Sequence, residues 1–242
     1  MVERPHRTAL STFYAPGPWS DRVEAGDAAA HHAHVKRLSL GDPVRLTSGD
    51  GRRALGAIVH LSKRSLGVAV EFVEHIERPA DVELLAPVGD RDRMLMLAEK
   101  AVELGVSVWR PVIYERSRSV SPRGDGEAFR EKLKLRQIAA LEQSGGAWLP
   151  RACAEVPLGD ALGVVTGTTR LLLDQAGERL GAVSGAVCGA VSIGLGPEGG
   201  LTDAERSQFV GAGWRLVSLN TNMLRFETAG IAALAIVRSL LR

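Results

Sequence analysis

Through the first third of the chain, apolar and polar positions alternate in short stretches, and then the pattern lengthens to a helical period. Pro43-Val-Arg-Leu-Thr47, Ala57-Ile-Val-His-Leu61 and Leu66 to Val73 are separated by turn signals at Gly41-Asp42, Ser48-Gly-Asp-Gly51 and Lys63-Arg64. A period of two gives each strand one buried face, which predicts a small twisted β-barrel or sandwich between about residues 8 and 74. A short helix is expected over the His31 to Leu38 segment.

Beyond Pro79 the pattern is α/β. Met94, Leu97, Ala98, Ala101 and Val102 recur at helical spacing, with Gly105 placed as a C-terminal cap. Val106 to Ile113 reads as a strand, and a second helix spans Glu127 to Ser144 with Gly145 closing it. Arg130, Lys132, Lys134 and Arg136 mark its solvent side, which alone is the ordinary sign of a solvated face. Leu171-Leu-Leu173 and Val191-Ser-Ile193 look like buried parallel strands. Thr202 with Glu205 forms a capping box, Trp214 to Leu219 a further strand, and Glu227 to Leu241 an apolar terminal helix. Strands alternating with helices imply an α/β domain with a mostly parallel sheet covered on both faces. The expected division is a β-barrel domain over 1–74 and an α/β domain over 75–242.

Composition narrows the classes without choosing a function. The 242 residues are 45% apolar and 24% charged, in the range of globular proteins and unlike disordered ones. A net charge of +2 is too weak to establish a polyanionic partner. Cys153 and Cys188 fit neither a disulfide framework nor a zinc spacing, and inert buried thiols in a reducing cytoplasm are expected. The first residues hold no apolar core of a secretory signal. Leu180 to Gly196 falls short of the roughly 20 strongly apolar residues a membrane helix needs.

Two segments carry candidate chemistry. Ile193-Gly-Leu-Gly-Pro-Glu-Gly-Gly-Leu-Thr202 leaves a strand, passes four glycines and Glu198, and enters a capped helix. Such a loop lets backbone amides approach a ligand closely, and it equally describes a tight strand-to-helix turn. Its spacing matches neither the dinucleotide fingerprint nor the P-loop. Val217-Ser-Leu-Asn-Thr-Asn-Met-Leu-Arg-Phe-Glu-Thr-Ala229 sets Arg225 and Glu227 among apolar neighbours. A polar pair in such a place is costly unless paired or used. A plain Arg225–Glu227 ion pair, with Thr228 capping the helix, would explain the same residues without chemistry. His31, His32 and His34 have no further ligand nearby, and no metal is expected.

Together these segments resemble a known family. Gly196-Pro-Glu-Gly-Gly200 followed by Leu224-Arg-Phe-Glu-Thr-Ala229 is similar to the signature of the RsmE-type ribosomal RNA uridine-N3 methyltransferases, in the knotted SPOUT superfamily. Phe13-Tyr-Ala-Pro-Gly17 resembles the family's opening. His31-His32, Val35, Arg37-Leu38 and Gly41-Asp42 resemble its PUA-like barrel. Lys100-Ala-Val-Glu-Leu-Gly105, Tyr114-Glu-Arg-Ser117 and Glu142-Gln-Ser-Gly145 follow in the family's order.

The resemblance implies a trefoil knot, one of the rare exceptions to unknotted connections. It also implies S-adenosylmethionine as cofactor and a homodimer, and as partner 16S ribosomal RNA or the small ribosomal subunit, modified in its decoding-centre region. Leu173, Leu195, Gly196 and Gly200 would line one side of the cofactor, and Leu219, Asn220, Met223 and Leu224 the other. Arg225 would favour the anionic base, with Glu198 or Glu227 orienting it or assisting proton removal. Arg37, Arg116 and Arg136 are the candidate RNA contacts. The family usually has glycine at Asn220, arginine at Asn222 and at Gly146, and often glutamate at Ala139. Lost cations bear on RNA contacts rather than on the fold. Ser218-Leu-Asn220 also resembles the knotted ribose 2′-O-methyltransferases. The same residues also admit a non-catalytic RNA-binding or assembly protein on this scaffold, or a nucleotide-binding α/β enzyme unrelated to RNA.

Overall fold

The structure is a computed structural model that describes residues 10–119, 122–219 and 222–241. The chain forms two compact units, one of residues 10–78 with Ile138–Leu149, the other of residues 79–137 with 150–241.

The first unit contains β1 (Thr12–Tyr14), β2 (Arg22–Ala25), α1 (Asp27–Val35), β3 (Pro43–Thr47), β4 (Arg52–Leu61) and β5 (Leu66–His75). The strands form one sheet in the order β1-β3-β4-β5-β2, antiparallel except where β1 lies beside β3. Its inward face buries Phe13, Val44, Leu46, Ile58, Leu66 and Val68. The helix begins at Asp27 rather than His31 because Ala28-Ala-Ala30 favour helix and Asp27 complements the first-turn amides. It stops by Val35, and Arg37 follows in the left-handed region at φ 55°. β4 extends back to Arg52, past a register shift between Leu55 and Gly56. Such a bulge hides the alternation that marks a strand. Segment 138–149 is tied in by Glu142, which accepts from the Tyr14 amide at 2.7 Å. Trp148 Nε1 donates to the Ile76 carbonyl at 3.1 Å.

The second unit is a layered α/β fold. In chain order its elements are β6 (Val82–Pro87), α2 (Arg91–Glu103), β7 (Val108–Ile113), the first part of α3 (Glu127–Ser144), β8 (Arg151–Ala152) and β9 (Val156–Pro157). They continue with α4 (Leu158–Gly163), β10 (Thr169–Arg179), β11 (Val191–Gly194), α5 (Asp203–Gly211), β12 (Arg215–Ser218) and α6 (Phe226–Leu240). The sheet runs β12-β10-β11-β6-β7-β8 with β9 also beside β7, and every pairing is parallel. β6 escapes sequence prediction although it is central: all its residues are buried, Glu83 among them, so apolar and polar positions do not alternate along it. Successive residues feed opposite cores, Leu84 and Leu171 facing the α2–α6 side and Leu85 and Leu172 the side with Phe209 and Trp214.

β10 runs on well beyond the expected Leu171–Leu173. Leu173 and Glu178 both register with Val217, so Asp174 to Gly177 loop out of the ladder. There the two backbones come so close that a Cβ on Gly177 would lie 2.4 Å from the Val217 nitrogen. Among the described residues no helix is long and apolar enough to cross a membrane. The cysteines depart from expectation, Cys188 being exposed and Cys153 half-buried, both as free thiols.

Candidate active site

Parallel strands present all their carboxyl ends along one edge, the place where open α/β sheets bind ligands. Along that edge lies a cleft of about 750 Å³, within the usual range for small-molecule sites. Its walls are the looped-out segment of β10, the glycine loop after β11, the loop after β12 and the head of α6.

Leu173, Leu195, Gly196, Gly200, Leu219, Met223 and Leu224 all line this one cleft, although they come from three separate loops. Asn220 lies outside the described residues. Leu195 is buried as part of the floor, whereas Met223 leaves 78% of its surface exposed. Asn222 lines the cleft as well.

The glycine loop is held from several directions. Glu198 Oε1 accepts from the Asp90 amide at 2.9 Å, at the head of α2. Arg116, in the 3₁₀ turn after β7, donates from Nη1 to the Gly199 carbonyl at 2.6 Å. Glu205 supports both ends: it accepts from the Thr202 amide at 2.9 Å within the capping box and from the Glu115 amide at 2.8 Å. Gly200 turns the chain at φ 73°, a left-handed value that favours glycine. No described group accepts from the amides of Gly196, Glu198 or Gly199. Free donors above an apolar floor suit a ligand with a flat polar ring and an apolar body.

The charged residues are arranged differently from the simple expectation. Arg225 is exposed on the cleft wall as the N-cap residue of α6, and its side chain makes no hydrogen bond or ion pair with another described residue. The plain Arg225–Glu227 pair therefore does not form, and Thr228 does not cap the helix. Glu227 is 5% exposed and faces Arg93 of α2, with Oε1 4.0 Å from Nε. Its Oε2 has no partner among the described residues. Arg93 Nη1 also stands 3.9 Å from Glu198 Oε1, and Arg93 lines the cleft. The pattern of Met94, Leu97 and Ala101 locates that helix but gives no signal for the polar residue beside it.

Asp174, Gln175 and Arg206 are further cleft residues that sequence patterning missed. Asp174 accepts from Arg206 Nε and from the Ala176 amide, each at 2.8 Å. Its place directly after the Leu171-Leu-Leu173 run was the available signal, since carboxyl ends of parallel strands carry ligand sites.

The three candidate RNA contacts differ in what engages them. Arg37 is an exposed residue of the first unit at the end of α1. Arg116 is engaged on the glycine loop, and Arg136 donates to Glu99 at 3.1 Å. Arg130 pairs with Glu155, while Lys132 and Lys134 stand exposed on α3. Among the described residues no group of three or more His, Cys, Asp or Glu is placed to hold a metal ion. His32 Nδ1 lies 3.3 Å from Glu142 Oε2, and His34 Nε2 3.0 Å from the Ser62 carbonyl.

Known proteins share both units and the cleft-bearing fold. The RNA methyltransferase domain profile matches residues 76–238, and an RNA methyltransferase PUA domain profile matches residues 26–71. The chain belongs to the RNA methyltransferase family. Ribosomal RNA small subunit methyltransferase E of Synechocystis is 28% identical, over 86% of this chain and 69% of that protein. The protein of that name from Rickettsia conorii is also 28% identical, over 88% of each chain. The Neisseria gonorrhoeae ribosomal RNA small subunit methyltransferase E, solved bound to S-adenosyl methionine, superposes with a TM-score of 0.84 at 29% identity, covering 96% of this chain and 98% of its own. A Legionella pneumophila methyltransferase solved with bound S-adenosyl methionine gives 0.85 at 25% identity, with 96% and 98% covered. The α/β fold with a PUA-like N-terminal domain is thus the one this RNA methyltransferase has, in agreement with the sequence resemblance.

Proposed function

We propose that this RNA methyltransferase uses S-adenosylmethionine to methylate N3 of a uridine in small-subunit 16S ribosomal RNA, in its decoding-centre region, and that it acts as a cytoplasmic homodimer. The observation that carries this reading is the convergence of Leu173, Leu195, Gly196, Gly200, Leu219, Met223 and Leu224 on one cleft at the carboxyl edge of the parallel sheet. Relatives and structural neighbours named for small-subunit ribosomal RNA methylation, one bound to the cofactor, support the substrate class.

The residues present fit the cofactor. Free amides of Gly196 and Gly199 are donors for the adenine edge, and Leu195, Leu219 and Leu224 are apolar contacts for its faces. When bound, the cofactor supplies a methyl group on a sulfonium: the N3 lone pair takes the methyl, the C–S pair returns to sulfur, and the N3 proton leaves to water. The protein's own task is to align that nitrogen and favour the deprotonated base. Arg225 is exposed on the cleft wall and its side chain has no partner among the described residues, so it is available to meet the negative charge. Glu198 is committed to the Asp90 amide, which suits it better to holding the loop than to accepting a proton. Glu227, buried with one oxygen unpartnered, is the stronger candidate to orient a cation or assist proton removal. Ile236 and Leu240, four residues apart on α6, are incompletely covered, which supports pairing of two chains.

Calorimetric titration with S-adenosylmethionine and S-adenosylhomocysteine tests this directly, with sedimentation of the same preparation reporting the dimer. The expected result is saturable binding near one ligand per chain. Gly196→Trp should weaken it by at least about tenfold by filling the cleft, without loss of fold. Folded protein that binds neither ligand, alone or with ribosomal RNA present, would favour a non-catalytic RNA-binding scaffold.

A further inference from the structure

Arg93 is the charged residue of the cleft whose placement stability alone does not explain. It lies in the first turn of α2, where the aligned peptide dipoles carry partial positive charge and disfavour a cation, while Asp90 caps the Asp92 and Arg93 amides. Its guanidinium is 3.9 Å from Glu198 and 4.0 Å from Glu227, too far for a hydrogen bond to either. The same sheet shows what a structural pair looks like: Arg110 puts Nε and Nη2 each 2.7 Å from Glu83 Oε1, with both side chains buried. Arg93 instead keeps 31% of its side chain exposed on the cleft wall, and its guanidinium donates no hydrogen bond to a described residue. Two carboxylates, one from the glycine loop and one from the first turn of α6, thus hold a cation in place without using its donors.

Resting on the methyltransferase reading above, we propose that Arg93 is a substrate-contacting residue: it donates a hydrogen bond to one of the carbonyl oxygens beside the reacting nitrogen of a pyrimidine base, leaving that nitrogen open to the methyl group. Glu198 and Glu227 keep the guanidinium centred and offset its charge while the cleft is empty of substrate. As the N3 proton leaves to water, negative charge spreads onto the two flanking oxygens, and donors already in place stabilise it most at that moment. Arg225, exposed at the head of α6, remains available to share that charge.

The test compares wild type with Arg93→Gln and Arg93→Lys, all of matched melting temperature, in S-adenosylhomocysteine calorimetry and in methyl transfer to small-subunit ribosomal RNA. Arg93→Gln is expected to bind S-adenosylhomocysteine within about twofold of wild type while kcat falls by about 100-fold or more. Its pH–rate limb for base deprotonation should move to higher pH, and Arg93→Lys should recover part of the rate. An unchanged kcat in Arg93→Gln, or ligand binding lost in step with the rate, overturns the assignment. Wild type that binds S-adenosylhomocysteine yet methylates no RNA overturns the parent reading instead, so the two failures are distinguishable.

Discussion

Tyr114 shows how one buried group ties stability to pH. It ends the strand segment before the Arg116 turn, is 1% exposed, and its hydroxyl has no partner among the described residues. Burial pushes its phenol well above the ordinary value of 10.0, and the nearby Glu205 charge adds to the shift. A raised folded value means the neutral phenol's contribution is full below pH 10 and is lost as the pH climbs from the unfolded value toward the folded one. Tyr114→Phe removes an unsatisfied hydroxyl and should leave stability at neutral pH unchanged or raise it by about 1 kcal/mol. It should also flatten the alkaline fall of the melting temperature. A loss of more than about 3 kcal/mol at neutral pH would instead reveal a hydrogen bond made by the hydroxyl. At the same scale, the site was legible only where a residue sits in a patterned loop. Gly196, Gly200 and Leu224 announce themselves, whereas Arg93 does not, because its partners Glu198 and Glu227 are more than a hundred residues away in sequence.

At the level of elements, the glycine loop and α5 work as one piece. The Thr202–Glu205 capping box satisfies first-turn amides, and the same Glu205 carboxylate reaches the Glu115 amide. Thr202→Ala should therefore cost about 1 kcal/mol of stability in denaturant melts. Cofactor affinity should fall modestly with it, because the loop ahead of the helix loses one of its anchors. Full retention of both would show that Glu205 alone holds the junction. α2 and α3 were readable from sequence with boundaries close to those found, and the head of α5 was readable from its capping box. The elements that were not readable share a physical cause. β6 is buried on both faces and shows no alternation, and β10 is interrupted by the looped-out Asp174 to Gly177. That interruption breaks a strand's pattern at the very point where it builds the cleft.

The whole molecule joins a five-stranded, mostly antiparallel unit to a seven-stranded parallel α/β unit. The change of texture after Pro79 in the sequence falls where the chain passes from the first unit to the second. Segment 138–149 joins the first unit although it lies far along the chain, a contact set by tertiary packing that no local period encodes. Membership of the RNA methyltransferase family fixes the reaction class, and the position of the transferred methyl is the claim most worth testing. Small-subunit ribosomal RNA lacking the modification should be incubated with the protein and S-adenosylmethionine, digested to nucleosides and resolved by mass spectrometry. The expected product is uridine one methyl group heavier on its base at N3, formed by wild type and strongly reduced in Arg93→Gln. Methyl found on a ribose 2′-oxygen, or on a different base, would contradict the account.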